Sequence, residues 1–258
     1  GGEITGSIDE KVRHAVTKLS DLHLVATEKA AERVIRMGED PKHVYVTGCP
    51  SIDLAANMLK APLLDFDIFD RYGGVGEQLD LSKGYLVVLQ HPVTTEYKRA
   101  REHILETLYA VNEIDLPVLW FWPNVDAGSD GTSNAIRAFR EIEKPTKIHF
   151  FKNMEPTDFL KVIHHSKCLI GNSSVGIREC SFLGVPVVNV GSRQRGRERG
   201  DNVLDTDYDR SAIKNAILNQ LDTGHYPSSC IYGDGHADRR IADILAQASL
   251  NIEKRLWY

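Results

Sequence analysis

The sequence contains no run of about 18 consecutive apolar residues, so no segment of it predicts a helix that spans a membrane. Positive charge is not in excess either, because 31 Lys and Arg residues stand against 36 Asp and Glu residues, giving a formal net charge of -5. Proteins that bind nucleic acid or anionic membranes generally present a broad basic surface that attracts phosphate groups. The composition therefore predicts neither a nucleic-acid partner nor a membrane partner.

Cysteine is scarce, since the sequence has only four, at positions 49, 168, 180 and 230. No two of them form a C-x-x-C pair, which is the spacing typical of zinc sites and redox motifs. Cys168 lies within an apolar run, and buried reduced thiols are typical of proteins from a reducing compartment. The cysteines therefore predict a cytoplasmic protein with neither disulfides nor a zinc site.

What the sequence does contain is a regular alternation of short apolar runs and helix-like segments. The predicted strands cover residues 22–26, 43–48, 85–90, 117–123, 147–151, 168–172 and 186–191. Helices are predicted between and after them, among others one that begins with Thr27 as its cap and those at 96–114, 175–183 and 238–254, and the stretch 61–83 is irregular. Apolar strands that alternate with helices are typical of a parallel sheet covered on both faces. The pattern predicts an α/β fold.

Polar, small or basic residues follow four of these predicted strands. They are residues 90–95, 124–129, 173–174 and 192–194. Parallel connections are right-handed, so the carboxyl ends of all strands open on one edge of the sheet, where ligands of such sheets bind. A single Ser or His after a strand usually has a structural role, but four such segments together predict a ligand-binding rim.

The segment Gly171-Asn172-Ser173-Ser174, followed by a predicted helix with Glu179, suggests what that ligand is. Small residues allow the backbone to approach a ligand, and the N–H groups at the start of a helix favour an anion such as a diphosphate. A carboxylate accepts hydrogen bonds from the two hydroxyls of a ribose. We therefore predict phosphate at Ser173 and Ser174 and ribose at Glu179. The structural alternative is a pair of N-cap serines and a surface Arg178–Glu179 pair.

The arginine-rich segment 193–199 lies after the last predicted strand. Arg193 follows Gly191-Ser192 at the strand end, where a guanidinium group is suited to neutralising phosphate. Arg195, Arg197 and Arg199 alternate with Gly and Glu, which predicts a solvated loop with internal ion pairs. Near the start of the chain, Asp9 stands four residues before Arg13, a spacing that more often marks surface decoration than a site.

Seven motifs in order now allow a comparison with a known family: GGEITGSIDEKVRHAVTKLSDLH, VTGCPSID, LQHPVTT, PNVDAGS, IGNSSVGIRE, GSRQRGRERGDNV and IYGDG. Together they resemble the UDP-N-acetylglucosamine 2-epimerase family, and within it the hydrolysing branch. The resemblance implies a GT-B-like architecture, in which two Rossmann-like domains with parallel sheets enclose the active site.

The resemblance also implies a domain organisation. Residues 1–78 would be the remainder of the N-terminal Rossmann-like domain plus a linker, and 79–238 the C-terminal, nucleotide-binding domain. Residues 239–258 would form a C-terminal helix that packs back toward the N-terminal domain. The N-terminal domain is then incomplete in this chain, which alone is expected to be inactive.

The resemblance assigns six residues to the nucleotide: His91, Asn124, Ser173, Ser174, Glu179 and Arg193. It places His91 at the diphosphate and sugar, and Asn124 in the nucleotide cleft. It places Ser173 and Ser174 at the phosphate, Glu179 at the ribose hydroxyls and Arg193 on the nucleotide side. It assigns Glu3, Asp9 and Arg13 to the catalytic group. The family uses no cofactor and no obligatory metal, and it implies a UDP-sugar substrate and a homodimer or homotetramer.

The chemistry implied by the resemblance has two stages. Departure of UDP from C1 with loss of the C2 proton gives 2-acetamidoglucal, and water then adds with the opposite configuration at C2. The product, N-acetylmannosamine, begins sialic-acid synthesis. We expect Glu3 and Asp9 to transfer protons and His91 and Arg13 to stabilise charge, although the sequence does not decide which acid serves which step.

Other functions stay open at this stage. Hydrolysing relatives act on UDP-diacetamido-trideoxy or GDP-linked sugars for legionaminic-type acids, and non-hydrolysing relatives epimerise UDP-N-acetylglucosamine without releasing the sugar. Here His91 is followed by Pro92-Val93-Thr94-Thr95 in place of the charged run of non-hydrolysing relatives, which favours hydrolysis. A GT-B glycosyltransferase and a nucleotide-sugar-binding protein without turnover are the alternatives from other classes.

Overall fold

The computed structural model describes residues 9–125, 127–249 and 253–257, without the side chain of Asp9. The first part of the chain forms a parallel two-stranded sheet, called here the small sheet, with flanking helices. Its elements are α1 (Asp9–Leu19), β1 (His23–Val25), α2 (Glu28–Arg36) and β2 (Val44–Val46). As predicted, Thr27 caps α2, since its Oγ1 accepts a hydrogen bond from the Ala30 N–H at 3.1 Å.

Two helices lead from the small sheet to the rest of the chain: α3 (Pro50–Met58) and α4 (Ile68–Tyr72). Helix α4 lies inside the stretch that the sequence predicts to be irregular. Its start is fixed by Asp67, whose Oδ1 accepts from the N–H groups of Phe69 and Asp70, each at 2.8 Å. A five-residue helix with one cap is too short to give a periodic pattern, which is why the sequence does not predict it.

The remaining strands form one six-stranded sheet, called here the large sheet, in the order β5-β4-β3-β6-β7-β8. Every neighbouring pair is parallel. The strands are β3 (Leu86–Leu89), β4 (Val118–Phe121), β5 (Ile148–Phe151), β6 (Cys168–Gly171), β7 (Val187–Val190) and β8 (Val203–Thr206). The α/β fold with parallel sheets is confirmed, but β8 was not predicted. It is an edge strand with no buried residue, so it lacks the apolar run by which the others were found.

The helices of this part are α5 (Ala100–Asn112), α6 (Ser129–Glu143), α7 (Pro156–His164), α8 (Ser174–Ile177), α9 (Glu179–Leu183), α10 (Arg210–Thr223) and α11 (Ala237–Gln247). The prediction of one helix over 175–183 is wrong, because the chain breaks at Arg178 (φ -101°, ψ -73°) into α8 and α9. The predicted helix 96–114 begins as a 3-10 helix, Thr94–Arg99. The prediction of a last helix over 238–254 is wrong at its end, because α11 stops at Gln247, where Ala248 adopts an extended conformation, and residues 253–257 are not helical. None of the helices in the described ranges is long and apolar enough to cross a membrane.

Alternate residues of each strand point to opposite faces of the large sheet, and helices cover both faces. On one face, Val88 and Trp120 pack with residues of α5, α6 and α10. On the other, Val87 and Leu119 pack with residues of α7 and α9, and also with Met58 of α3 and with α4. Fully burying one such side chain contributes about 1.5–3 kcal/mol. Helices α3 and α4 therefore pack on the large sheet, although the predicted boundary at residue 78 assigns both of them to the N-terminal domain.

The turns VTGCPSID and IYGDG contact each other. The Cys49 N–H donates to the Tyr232 carbonyl at 2.7 Å, next to a close approach of Gly48 and Gly233. Asp53 of α3 accepts from the first two N–H groups of α11, at 3.0 and 2.6 Å, and so acts as its cap. These contacts attach the carboxyl end of β2 to the segment before α11.

A buried ionic cluster ties the C-terminal segment to the small sheet. Glu39 is only 3% exposed and accepts hydrogen bonds from Lys18 at 2.5 Å, Lys254 at 2.7 Å and His23 at 2.8 Å. Burial alone would raise the pKa of Glu39, but the hydrogen bonds from Lys18, Lys254 and His23 outweigh it and lower the pKa to about 2. The Trp257 N–H also donates to the Gly38 carbonyl at 3.0 Å.

We expect Glu39→Gln to lower the free energy of unfolding by about 3 kcal/mol at pH 7, because it removes the buried carboxylate that Lys18, Lys254 and His23 share. The folded-state pKa lies below the unfolded value near 4.3, so this stabilisation is present above pH 4.5 and disappears as the pH falls toward 2. Urea unfolding of the wild type and variant from pH 7 to pH 3 measures the difference. Asp115→Asn, which removes an exposed ion pair with Lys147, is the control and should change little. Equal stability of the wild type and Glu39→Gln at pH 7 would contradict the role of the cluster.

Candidate nucleotide-sugar site

The site predicted at the strand ends lies at the point where the order of the large sheet reverses. From β3 the chain proceeds outward through β4 and β5, and then returns to place β6 on the other side of β3. A crevice therefore opens between the carboxyl ends of β3 and β6, the location where α/β sheets bind ligands. His91 follows β3 by two positions, and Ser173 follows β6 by two positions.

Asn172 joins these two strand ends. Its Oδ1 accepts from the His91 N–H at 2.7 Å, and its Nδ2 donates to the His91 carbonyl at 2.8 Å. Gly171 makes the close approach possible, since it has φ +131° and a Cβ there would lie 2.2 Å from the Leu89 carbonyl oxygen. Asn172 is completely buried. Asn172 was not predicted as a site residue, although it stands inside the GNSS segment.

The His91 imidazole is held in its neutral form. Burial, followed by the nearby positive charge of Arg193, lowers the pKa of His91 to about 4. The Asn124 N–H donates to His91 Nδ1 at 3.1 Å, so the hydrogen of the neutral ring is on Nε2. Asn124 thus contributes through its backbone, and its side chain is exposed. At neutral pH, His91 is a hydrogen-bond donor through Nε2 rather than a cation.

The serine pair begins the short helix α8. Ser173 is buried and its Oγ accepts from the Val175 N–H at 3.4 Å, whereas Ser174 Oγ accepts from Arg178 Nη2 at 2.8 Å. Because α8 has only four residues, its helix dipole is small. An anion at this turn would be held by the first N–H groups of α8 and by the hydroxyls of Ser173 and Ser174. The dipole of the longer helix predicted at 175–183 would not contribute, because that helix does not form.

Glu179 is buried, which excludes the alternative of a surface Arg178–Glu179 pair. The side chain is 8% exposed, and its Oε2 has no hydrogen-bond partner among the described residues. Burial raises the pKa of Glu179, although the Arg178 charge and a hydrogen bond from Ser51 partly offset it. A desolvated carboxylate with an unused acceptor is suited to a ligand that brings its own donors.

Arg193 lies on the far side of Asn172 from His91. Arg193 Nη1 donates to the Asn172 carbonyl at 3.2 Å, and Gln194 Nε2 donates to the same oxygen at 2.7 Å. Ser192 donates to Glu96 Oε1 at 2.5 Å. Gln194 and Glu96 were not selected from the sequence, because no motif or spacing marks side chains that act by holding a turn.

The prediction of a solvated arginine loop is wrong for Arg197, which is 9% exposed and lies close enough to lower the pKa of Glu179. It is confirmed for Arg195, which is exposed, but Arg199 pairs with Asp205 of β8 rather than within the loop. The loop also contacts the start of α2, where Thr27 Oγ1 donates to Glu198 Oε2 at 2.5 Å. This contact requires the loop to fold inward, so Arg197 is covered.

The predicted catalytic group stays a prediction. Glu3 and the side chain of Asp9 lie outside the described residues, and Arg13 is half-buried on α1. Its carbonyl accepts from Thr17 Oγ1 at 2.8 Å. Among the residues that the structure describes, no cluster of His, Cys, Asp and Glu has the arrangement of a metal site.

Comparisons with known proteins agree with this architecture. The chain superposes on the crystal structure of UDP-GlcNAc 2-epimerase from Neisseria meningitidis bound to UDP-GlcNAc with a TM-score of 0.73. The match covers 93% of this chain and 65% of that one, at 15% sequence identity. The parallel sheets and this likeness define the chain as an α/β protein of the GT-B-like class.

Sequence comparison identifies the family. The profile described as UDP-N-acetylglucosamine 2-epimerase matches residues 1–246, and the chain belongs to this family. UDP-N-acetylglucosamine 2-epimerase of Neisseria meningitidis serogroup B is 31% identical over 248 residues, which are 95% of this chain and 63% of that protein. UDP-N,N'-diacetylbacillosamine 2-epimerase (hydrolyzing) of Legionella pneumophila is 33% identical over 252 residues, 97% of this chain and 64% of that protein. The chain thus spans somewhat less than two thirds of these relatives.

Proposed function

We propose that the full-length protein is a hydrolysing UDP-N-acetylglucosamine 2-epimerase that converts UDP-N-acetylglucosamine and water to N-acetylmannosamine and UDP, the first step of sialic-acid synthesis. One observation carries the proposal: at the switch point of the large sheet, neutral His91 and the serine turn lie on adjacent strand ends. Buried Glu179 with its unused acceptor follows on the same segment. The membership of the family and the names of its relatives support the choice of substrate.

In this proposal the chain's own residues bind and orient the nucleotide. Ser173 and Ser174 offer N–H and hydroxyl groups to the diphosphate, and Arg193 supplies a positive charge beside it. Glu179 accepts hydrogen bonds from the ribose hydroxyls, which satisfies the buried Oε2. The nucleotide then lies along the segment from β6 to α9, with its sugar directed away from the uridine end.

The first stage breaks the bond between C1 and the diphosphate oxygen while the C2 proton goes to a base, which leaves 2-acetamidoglucal and UDP. Negative charge grows on the diphosphate, where the Nε2–H of His91 and the guanidinium of Arg193 stabilise it. In the second stage water adds its hydroxyl to C1 and a proton enters C2 from the opposite face. We assign the proton transfers to Glu3 and Asp9, with Arg13 stabilising charge beside them.

The protein is proposed to be a cytoplasmic homodimer or homotetramer that needs neither metal nor cofactor. Its domains are proposed as residues 1–78, 79–238 and 239–258, of which the first completes an N-terminal Rossmann-like domain in the whole protein. The contacts of Lys254 and Trp257 with the small sheet support the return of the last segment to that side. In this division α3 packs against the large sheet although it belongs to the first domain, so the two domains would share an interface from about residue 50 onward.

A second candidate is a hydrolysing epimerase of a diacetamido sugar. The relative of that name from Legionella pneumophila is as similar to this chain as the one named for UDP-N-acetylglucosamine, with 33% against 31% identity. The nucleotide site described above would serve either substrate. The two candidates would therefore differ in the residues that contact the sugar.

Incubating the full-length protein with UDP-N-acetylglucosamine, a UDP-diacetamido sugar and a GDP-linked sugar, followed by NMR of the products, tests the proposal. We expect UDP and free N-acetylmannosamine to form without any acceptor, and the rate to be at least tenfold higher with this substrate. Release of a free diacetamido sugar as the faster reaction would favour the second candidate. UDP-N-acetylmannosamine as the only product would indicate a non-hydrolysing epimerase, and binding without turnover would overturn the enzymatic function.

A further inference from the structure

Asn172 occupies a central position among the groups that face the proposed diphosphate. Its side chain holds the backbone of His91 at both the N–H and the carbonyl. Its own carbonyl accepts from Arg193 and Gln194. His91 follows β3 and Arg193 follows β7, and these strands are not neighbours, because β6 lies between them. One buried residue therefore connects the two groups across the intervening strand.

Tyr208 supports the positions of Asn172 and of the turn before Arg193. The Tyr208 hydroxyl lies close to the Asn172 side chain, and this contact partly offsets the rise in the pKa of Tyr208 that burial causes. The Tyr208 ring stacks on His103 with 3.6 Å between ring centroids, and it lies directly under Gly191, where a Cβ would come within 2.1 Å of it. Gly191 has φ +80°, so only glycine fits this close approach without strain. Tyr208 thus touches both Asn172 and the turn that leads to Arg193.

Glu96 closes the same arrangement at the rim. It belongs to the 3-10 helix that follows His91, and it accepts from Ser192, the residue before Arg193, at 2.5 Å. Its other oxygen lies 3.7 Å from His103 Nδ1. The segments that carry His91 and Arg193 are therefore joined twice, once through the buried Asn172 and once through the hydrogen bond between Glu96 and Ser192.

We propose that Asn172 is a positioning residue that fixes the spacing between His91 and Arg193, and that Tyr208 and Glu96 support it in this role. The inference rests on the proposed function, since it concerns the diphosphate that the two groups would share. A diphosphate spans a fixed distance, and groups preset at that distance lose no freedom when they bind it. Neither Asn172 nor Tyr208 needs to touch the ligand.

The test compares UDP with uridine, which lacks the diphosphate, by calorimetry and NMR titration of the full-length protein. Asn172→Ala is expected to weaken UDP binding at least tenfold and Tyr208→Phe about threefold, while uridine binding changes less than twofold. Tyr226→Phe is the matched control, because its hydroxyl donates to Gln220 at 2.7 Å at the opposite edge of the sheet. It should bind both ligands as the wild type does.

A second readout needs no ligand. In Asn172→Ala the pKa of His91, followed by the NMR shift of its ring, should rise from about 4 toward the value of a solvated imidazole, because the ring is no longer held in its buried place. Tyr208→Phe removes a single oxygen and keeps the ring. If Asn172→Ala does not fold, the UDP and uridine affinities of Tyr208→Phe test the proposal instead. Equal losses of UDP and uridine binding in Tyr208→Phe, or an unchanged UDP affinity, would overturn the proposal. Failure of the wild type to bind either ligand would instead contradict the proposed function.

Discussion

Replacing His91 by Ala in the full-length protein is expected to lower turnover by about 10²–10³-fold while the protein stays folded. The reason is the developing negative charge on the leaving diphosphate, toward which the Nε2–H of a neutral imidazole donates. Because Asn172 grips the backbone of His91, and not its ring, truncation of the side chain leaves the strand end in place. Steady-state release of UDP measures the effect, and thermal unfolding checks the fold.

Two further variants define the cause of this loss. His91→Gln keeps an N–H donor on a similar side chain and should recover part of the activity. His165→Ala removes an exposed histidine at the end of α7, far from the strand ends, and should behave as the wild type. A His91→Ala enzyme with wild-type turnover would remove His91 from the mechanism.

The low pKa of His91 has its own consequence for stability. Its folded-state pKa of about 4 lies below the usual 6.5, so the unfolded chain binds the proton more readily. Folded wild-type protein therefore loses stability as the pH falls from about 6.5 to 4. His91→Ala should lose less over this range, and urea unfolding at several pH values compares the two slopes.

Replacing Glu179 by Gln is expected to weaken the binding of both UDP and uridine more than tenfold and, at the same time, to stabilise the unliganded protein. Tenfold corresponds to about 1.4 kcal/mol, and a hydrogen bond to a charged group contributes about 1.5–3 kcal/mol, so the loss should exceed tenfold. The stabilisation follows because burial raises the pKa of Glu179, so above the unfolded pKa near 4.3 this side chain lowers the stability of the folded state, and Gln removes that cost. Calorimetry and thermal unfolding of the same samples give both quantities.

Ligands that lack one hydroxyl make this experiment specific for the ribose. The wild type should prefer UDP to 2'-deoxy-UDP or 3'-deoxy-UDP. Glu179→Gln should lose much of that preference, because removing the ribose hydroxyl and removing the carboxylate eliminate the same hydrogen bond. Glu102→Gln, an exposed acid paired with Arg99, is the control and should keep it. An undiminished preference in Glu179→Gln would assign the ribose to another residue.

The sequence was sufficient to predict those parts of the fold that have an apolar run or an unambiguous cap. The central strands, from β3 to β7, are buried almost throughout, and the cap at Thr27 has its expected hydrogen bond. The edge strand β8 and the helix α4 were missed because one is half-exposed and the other is short. The break at Arg178 was missed because nothing in the local composition marks it.

The candidate site shows the same division. Ser173, Glu179 and Arg193 could be selected because their residue types suit a ligand and they follow predicted strands. Asn172 and Tyr208 could not, because their importance lies in contacts between segments that are distant in sequence, such as the bond between Asn172 and His91. Arg197 was misjudged for a similar reason, since its burial depends on a loop that folds toward α2.

The most direct test is a crystal structure of the full-length protein with UDP. We expect the diphosphate within hydrogen-bond distance of Ser173, Ser174 and His91 Nε2, and the ribose hydroxyls on the carboxylate of Glu179. A UDP molecule bound elsewhere, with Glu179 still without a ligand partner, would contradict the account.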